Sequence, residues 1–134
     1  MWDSAGLERY RALIPSYVRG ASIIFIIYDI SSKESFNNLG TWITFIKQVN
    51  TDNSMMVLCG NKTDLGRNVT TQEGQTLANK EQMVFFETSA KSGENVDEVF
   101  KALYNKICEI YGDLERERGT KLIKKRKIKG RCCS

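Results

Sequence analysis

Two short polar clusters carry the chemistry this sequence offers. One is Gly-Asn-Lys-Thr-Asp-Leu at residues 60–65, the other Glu-Thr-Ser-Ala-Lys-Ser-Gly-Glu-Asn-Val at residues 87–96. Asp64 presents two acceptor oxygens in one plane. They match two adjacent N–H donors on a purine that has both a ring N–H and a 2-amino group, which is the edge of guanine and not of adenine. Charged hydrogen bonds are worth about 1.5–3 kcal/mol each, and a base without those donors would leave the carboxylate unpaired. Asn61 can brace the loop or meet the base, and Lys62 can lay its aliphatic stem along the ring. A backbone N–H near Ala90 can donate to a purine carbonyl. The plainer reading is a turn followed by a loop. The presence of both clusters, each just beyond an apolar run, favours a site.

The elements that must position these clusters follow from the pattern of apolar residues. Residues 22–30, SIIFIIYDI, form a β-branched run of the kind expected for a strand buried on both faces of a parallel sheet. Ser31 and Glu34 fit a capping box for a helix whose apolar positions are Phe36, Leu39, Trp42, Ile43, Ile46 and Val49. A second strand is expected at 55–60. A second capping box, Thr70 with Glu73, opens a shorter helix containing Leu77, and a third strand is expected at 83–88. Asn95 and Glu98 are expected to cap a last helix that turns Val96, Val99, Phe100, Leu103, Ile107 and Ile110 to the sheet. Three strands alternating with helices give an α/β fold: an open, mainly parallel sheet with flanking helices. Ligands of such sheets bind beyond the carboxyl ends of the strands, where both clusters lie.

Composition narrows the classes further. The 134 residues are 41% apolar and 27% charged with a net charge of +4, as expected for one ordinary globular domain. The last fourteen residues hold Lys121, Lys124, Lys125, Arg126, Lys127, Lys129 and Arg131 and no acid, so the rest of the chain is mildly acidic. A basic appendage on an acidic body points to a local contact with a membrane or polyanion. The four cysteines show neither a disulfide framework nor zinc-type spacing, which suggests a reducing compartment. No apolar run approaches the roughly 20 residues of a spanning helix, and residues 1–20 lack a signal-peptide stretch.

The stretches WDSAGLERYR, GNKTDL and ETSAK resemble the motifs of Ras-like small GTPases, and the paired cysteines at the end are most similar to the Rab branch. The wording RALIPSY is similar to Golgi-trafficking Rab proteins. The resemblance covers residues 2–112 and the last few residues. It implies a partial G domain over 1–112 and a basic, disordered tail over 113–134. It implies that Asn61, Lys62 and Asp64 read guanine while Ser89, Ala90 and Lys91 support the base, with GTP or GDP as ligand. Asp3 would reach Mg2+ through water, and the backbone N–H of Gly6 would meet the terminal phosphate. The stretch LERYRALIPSYVRG would change shape between the two nucleotide states.

Two departures from the family pattern shape the expectation. Leu7 stands where the family usually has a glutamine that orients the attacking water, so intrinsic hydrolysis is expected to fall and the GTP state to be favoured. The sequence also holds no G-x-x-x-x-G-K-[ST] phosphate loop and no threonine-bearing segment to close over magnesium. An N-terminally truncated copy that binds GTP weakly or not at all is therefore expected. It would expose the edge of the strand at 22–30.

The tail allows three readings: nuclear localisation, a nucleic-acid clamp or a membrane anchor. Adjacent thiols at Cys132 and Cys133 favour the anchor, while Arg131 stands where a C-a-a-X signal would need cysteine. The resemblance implies geranylgeranyl groups on both cysteines and attachment to the cytoplasmic face of intracellular membranes. Two lipid chains anchor stably, and each nearby Lys or Arg adds about 1 kcal/mol on an anionic surface. Implied partners are Rab effectors, an escort protein, a GDP-dissociation inhibitor, an exchange factor and a GTPase-activating protein, with no nucleic acid. A different reading is a non-catalytic module that engages effectors or escort factors without nucleotide.

Overall fold

The computed structural model describes residues 14–50 and 54–108. The chain forms two compact units, Met1–Val96 and Asp97–Ser134. In the first, the described elements run α1 (Ile14–Val18), β1 (Ile23–Asp29), α2 (Lys33–Asn37), α3 (Leu39–Val49), β2 (Met55–Asn61), α4 (Thr71–Glu81) and β3 (Val84–Glu87). A further helix, α5 (96–108), starts at the unit boundary and is described through residue 108. The boundary expected at residue 112 lies outside the described residues.

The three strands make one sheet in the order β1-β2-β3, parallel throughout, as the alternation of strand and helix predicts. The register pairs Asp29 with Asn61 and Gly60 with Glu87, so the carboxyl ends finish level. Ile24, Ile26, Tyr28 and Leu58 are buried in one core with Leu39, Ile43 and Ile46 of α3 and Ala78 of α4. Ile14 and Val18, four apart on α1, are buried in the same core. They fall in the stretch for which the resemblance implies a change of shape.

The both-face burial expected of β1 is not what forms. Its residues alternate, with Ile24, Ile26 and Tyr28 buried while Ile27 is 60% exposed. Among the described residues β1 pairs only with β2, so its other edge is unpaired there, the edge exposure expected from the sequence. The first capping box does not form, and a simple N-cap stands one residue later. Ser32, in extended conformation, accepts the Ser35 N–H and caps α2, whereas the Ser31 hydroxyl donates to Asp29. The expected single helix divides at Asn38 into α2 and α3, yet Leu39, Ile43 and Ile46 stay on the buried face. The second box forms as expected: Thr70 accepts from the Glu73 N–H, and the Glu73 carboxylate accepts from the Thr70 N–H. At α5 the expected cap fails. Asn95 stands at φ 58°, outside the extended conformation of an N-cap, and its amide donates to the Glu87 carbonyl. Within α5, Val99 and Leu103 are buried but Phe100 is 52% exposed.

Candidate functional site

Each strand delivers one segment to the level carboxyl end of the sheet, and backbone hydrogen bonds lock the segments together. The Ile30 N–H donates to the Asn61 carbonyl at 3.0 Å, the Thr88 N–H to Gly60 at 2.8 Å, and the Thr63 N–H to Thr88 at 3.2 Å. Asn68 and Val69 both donate to the Ile30 carbonyl, which draws the end of the β2 loop back beneath the end of β1.

On this frame the two sequence clusters meet. The Ser89 hydroxyl donates to Asp64 Oδ1 at 2.5 Å, and the Ala90 N–H donates to Asn61 Oδ1 at 3.0 Å. Ser89 is fully buried and its own Oγ accepts the Ser92 N–H at 3.1 Å, so the hydroxyl that holds Asp64 is itself fixed. Lys91 Nζ lies 3.8 Å from Asp64 Oδ2 and is largely exposed. The Ser89 hydrogen bond, with a smaller contribution from Lys91, holds the Asp64 carboxyl below its usual range, so Asp64 is an anion at neutral pH. Each carboxylate oxygen can accept two hydrogen bonds. Asp64 therefore keeps acceptor capacity on both oxygens, and its side chain retains 20% exposure.

The structure thus brings together Asn61, Lys62, Asp64, Ser89, Ala90 and Lys91 at one end of the sheet. Of the two roles open to Asn61, its Oδ1 takes the loop brace. The Ala90 N–H expected to meet a purine carbonyl is engaged by that brace. Lys62, at φ 70°, sends its ammonium to Asp29 Oδ2 at 2.6 Å. Asp3, Gly6, Leu7, Cys132 and Cys133 lie outside the described residues. Among the described residues no group of His, Cys, Asp or Glu is placed to hold a metal ion, and no helix is long and apolar enough to cross a membrane.

Three contributors escaped the sequence reading. Asp29 anchors Lys62 and accepts from both the N–H and hydroxyl of Ser31, at 2.8 and 2.6 Å. Those hydrogen bonds, that of Lys62 first, hold its carboxyl below the usual range. Glu94 accepts from the Thr63 hydroxyl at 2.6 Å, tying one cluster to the other. Arg67 meets Glu87 with two parallel hydrogen bonds, at 2.6 and 2.9 Å, and Thr71 donates to the same carboxylate. The acid ending the first strand is visible in the sequence. Its partner lies more than thirty residues away and is not.

Known proteins resemble this chain over most of its length. The model of the Ras family matches residues 1–109. Ras-related protein Rab-4B of Rattus norvegicus and of Homo sapiens are each 42% identical over 124 residues, covering 88% of this chain and 57% of theirs. Ras-related protein Rab-4A of Mus musculus is 42% identical over 122 residues, covering 88% of this chain and 56% of its own. The chain thus spans a little over half the length of the curated relatives it matches. It belongs to the Ras family, and these relatives it resembles are Rab proteins.

Proposed function

We infer that the carboxyl end of the sheet reads guanine, and that the chain belongs to a Rab-type GTP-binding switch of vesicle traffic. The observation that carries this is the pair of links joining the two loops, Ser89 to Asp64 and Ala90 to Asn61. They fix a carboxylate anion beside a backbone donor that a purine carbonyl can compete for. The residues fit a guanine base: Asp64 supplies acceptors for the ring N–H and 2-amino group, Lys62 an aliphatic stem, and Ala90 the donor. Asn61, Ser89 and Lys91 support them. GTP and GDP are the proposed ligands. Mg2+ is proposed through Asp3 and the terminal phosphate through the N–H of Gly6. The Leu7 side chain can neither donate nor accept a hydrogen bond, so slow hydrolysis and a long-lived GTP state are proposed for it.

Geranylgeranyl groups on Cys132 and Cys133, with the basic tail, are proposed to hold the protein on the cytoplasmic face of intracellular membranes. The Golgi placement rests on RALIPSY alone. Effectors, an escort protein, a GDP-dissociation inhibitor, an exchange factor and a GTPase-activating protein are the proposed partners. Intact mass of the protein from cells tests the lipid: two isoprenoid additions are expected, and an unmodified chain ending at Ser134 would overturn it.

Because none of the described residues provides a phosphate grip, the base is the part of the nucleotide this site tests best. Amide NMR of the 134-residue chain, titrated with GMP and with AMP, is the experiment. GMP is expected to shift the Thr63, Leu65 and Ala90 amides and AMP to leave them unmoved. Equal responses to the two nucleotides would sink the guanine reading.

A further inference from the structure

One ion pair, Lys62 with Asp29, crosses between strand ends at the candidate site itself. Lys62 carries a Cβ yet stands in the left-handed region at φ 70°, a conformation that persists only where its surroundings enforce it. Its ammonium crosses from the end of β2 to Asp29 at the end of β1, the register partner of its neighbour Asn61. Asp64 reaches the other way, towards Ser89 beyond β3. Of the two ends of the pair, Asp29 is the fixed one. Its side chain is 20% exposed against 51% for Lys62, and Oδ1 is held by the N–H and hydroxyl of Ser31. The Asp29 backbone is held as well, its N–H donating to Ser35 Oγ at 3.1 Å.

Resting on the guanine reading above, we propose that Asp29 is a positioning residue for the base site, acting through Lys62. It draws the lysine side chain across the carboxyl ends of β1 and β2, so that the aliphatic stem is already placed when a purine arrives. A lysine free to rotate loses that freedom on binding. One held beforehand does not, and the difference appears in affinity. The ion pair also removes a bare ammonium from the site without removing the apolar stem.

The test compares Asp29→Asn, Lys62→Met and the double variant of the 134-residue chain, titrated with GMP and AMP by amide NMR. Asn keeps an acceptor for Ser31 but loses the charge that holds the ammonium, and Met keeps a stem but has nothing for Asp29 to hold. Asp29→Asn is expected to weaken GMP about three- to tenfold in the native background. It should have no further effect once Lys62 is Met, because the two residues act as one unit. A loss in the double variant that equals the sum of the single losses would overturn the proposal, as would an unchanged GMP affinity in Asp29→Asn. A second readout needs no nucleotide: relaxation of the Lys62 side-chain carbons should show an ordered stem in the native chain and a disordered one in Asp29→Asn. Equal order in the two overturns the proposal whatever GMP does. A native chain that treats GMP and AMP alike, with the lysine still released in Asp29→Asn, would instead overturn the guanine reading while leaving the restraint of Lys62 in place.

Discussion

Replacing Gly74 with alanine sets helix propensity against packing, and the structure says which prevails. Gly74 lies inside α4 and is buried. An alanine there should favour the helix by about 1 kcal/mol, because glycine has more backbone freedom to lose. The added Cβ, however, would sit 2.6 Å from Phe85 Cζ and 2.6 Å from Tyr28 Oη, with Phe85 Cε2 at 2.7 Å. Tyr28 is 1% exposed and Phe85 packs, partly buried, on the same core, so the Tyr28 ring has no open space and the Phe85 ring must shift. Overpacking of this kind costs about 1–3 kcal/mol, more where backbone must move. Set against the propensity gain, this leaves a net loss of up to about 2 kcal/mol, which for a chain of this length lowers the melting temperature by up to about 7 °C. Gly40 in α3 provides the control, since nothing lies within 4 Å of the Cβ it would gain. Gly40→Ala should stabilise by about 0.5 kcal/mol. Urea and thermal denaturation of the three chains, followed by circular dichroism, give the comparison. A Gly74→Ala chain stabilised as much as Gly40→Ala would refute the claim that α4 is packed against β1 and β3 at this distance.

The other predictions concern polar groups. Thr70→Ala removes the capping box of α4 and should cost about 1 kcal/mol by denaturation. The Lys33 ammonium and then Thr70 hold the Glu73 carboxyl down at about 2, below its ordinary 4.5. The stability this gives is present above pH 4.5 and is lost as pH falls towards 2, and carbon NMR should show Glu73 titrating higher in Thr70→Ala. The Tyr28 hydroxyl is buried without a hydrogen-bond partner among the described residues, so Tyr28→Phe should leave stability unchanged or raised. Burial pushes that phenol up to about 12, so the associated stability is full below pH 10 and falls as pH rises towards 12; ultraviolet titration of the folded chain checks it. Ser89→Ala removes the main support of the Asp64 anion, and the Asp64 carboxyl should then titrate closer to its ordinary value.

Local signals in the sequence carried far. Short apolar runs located all three strands, and the Thr70 box located the start of α4, because both depend on neighbours within a few residues. GNKTDL and ETSAK marked a candidate site because their residue types are chemically specific, and the parallel order of the strands brings the two clusters together. What stayed hidden depends on distant partners. Ser31 and Ser32 are both good caps by composition, and only the Asp29 carboxylate, which claims Ser31, decides between them. The run at 22–30 reads as buried on both faces, since an apolar side chain does not reveal how many faces of the sheet are covered. Asn95 has cap chemistry, but Glu87 supplies a carbonyl that turns its amide to another use.

The side chains that cross between the strand ends have a dynamic consequence. Because Asp29 holds Lys62, Ser89 holds Asp64 and Glu94 holds Thr63, no one of these loops can swing outward without breaking a bond to another. The rim should therefore open as a single cooperative event. In native-state hydrogen exchange the amides of Thr63, Leu65, Ala90 and Ser92 would share one opening free energy.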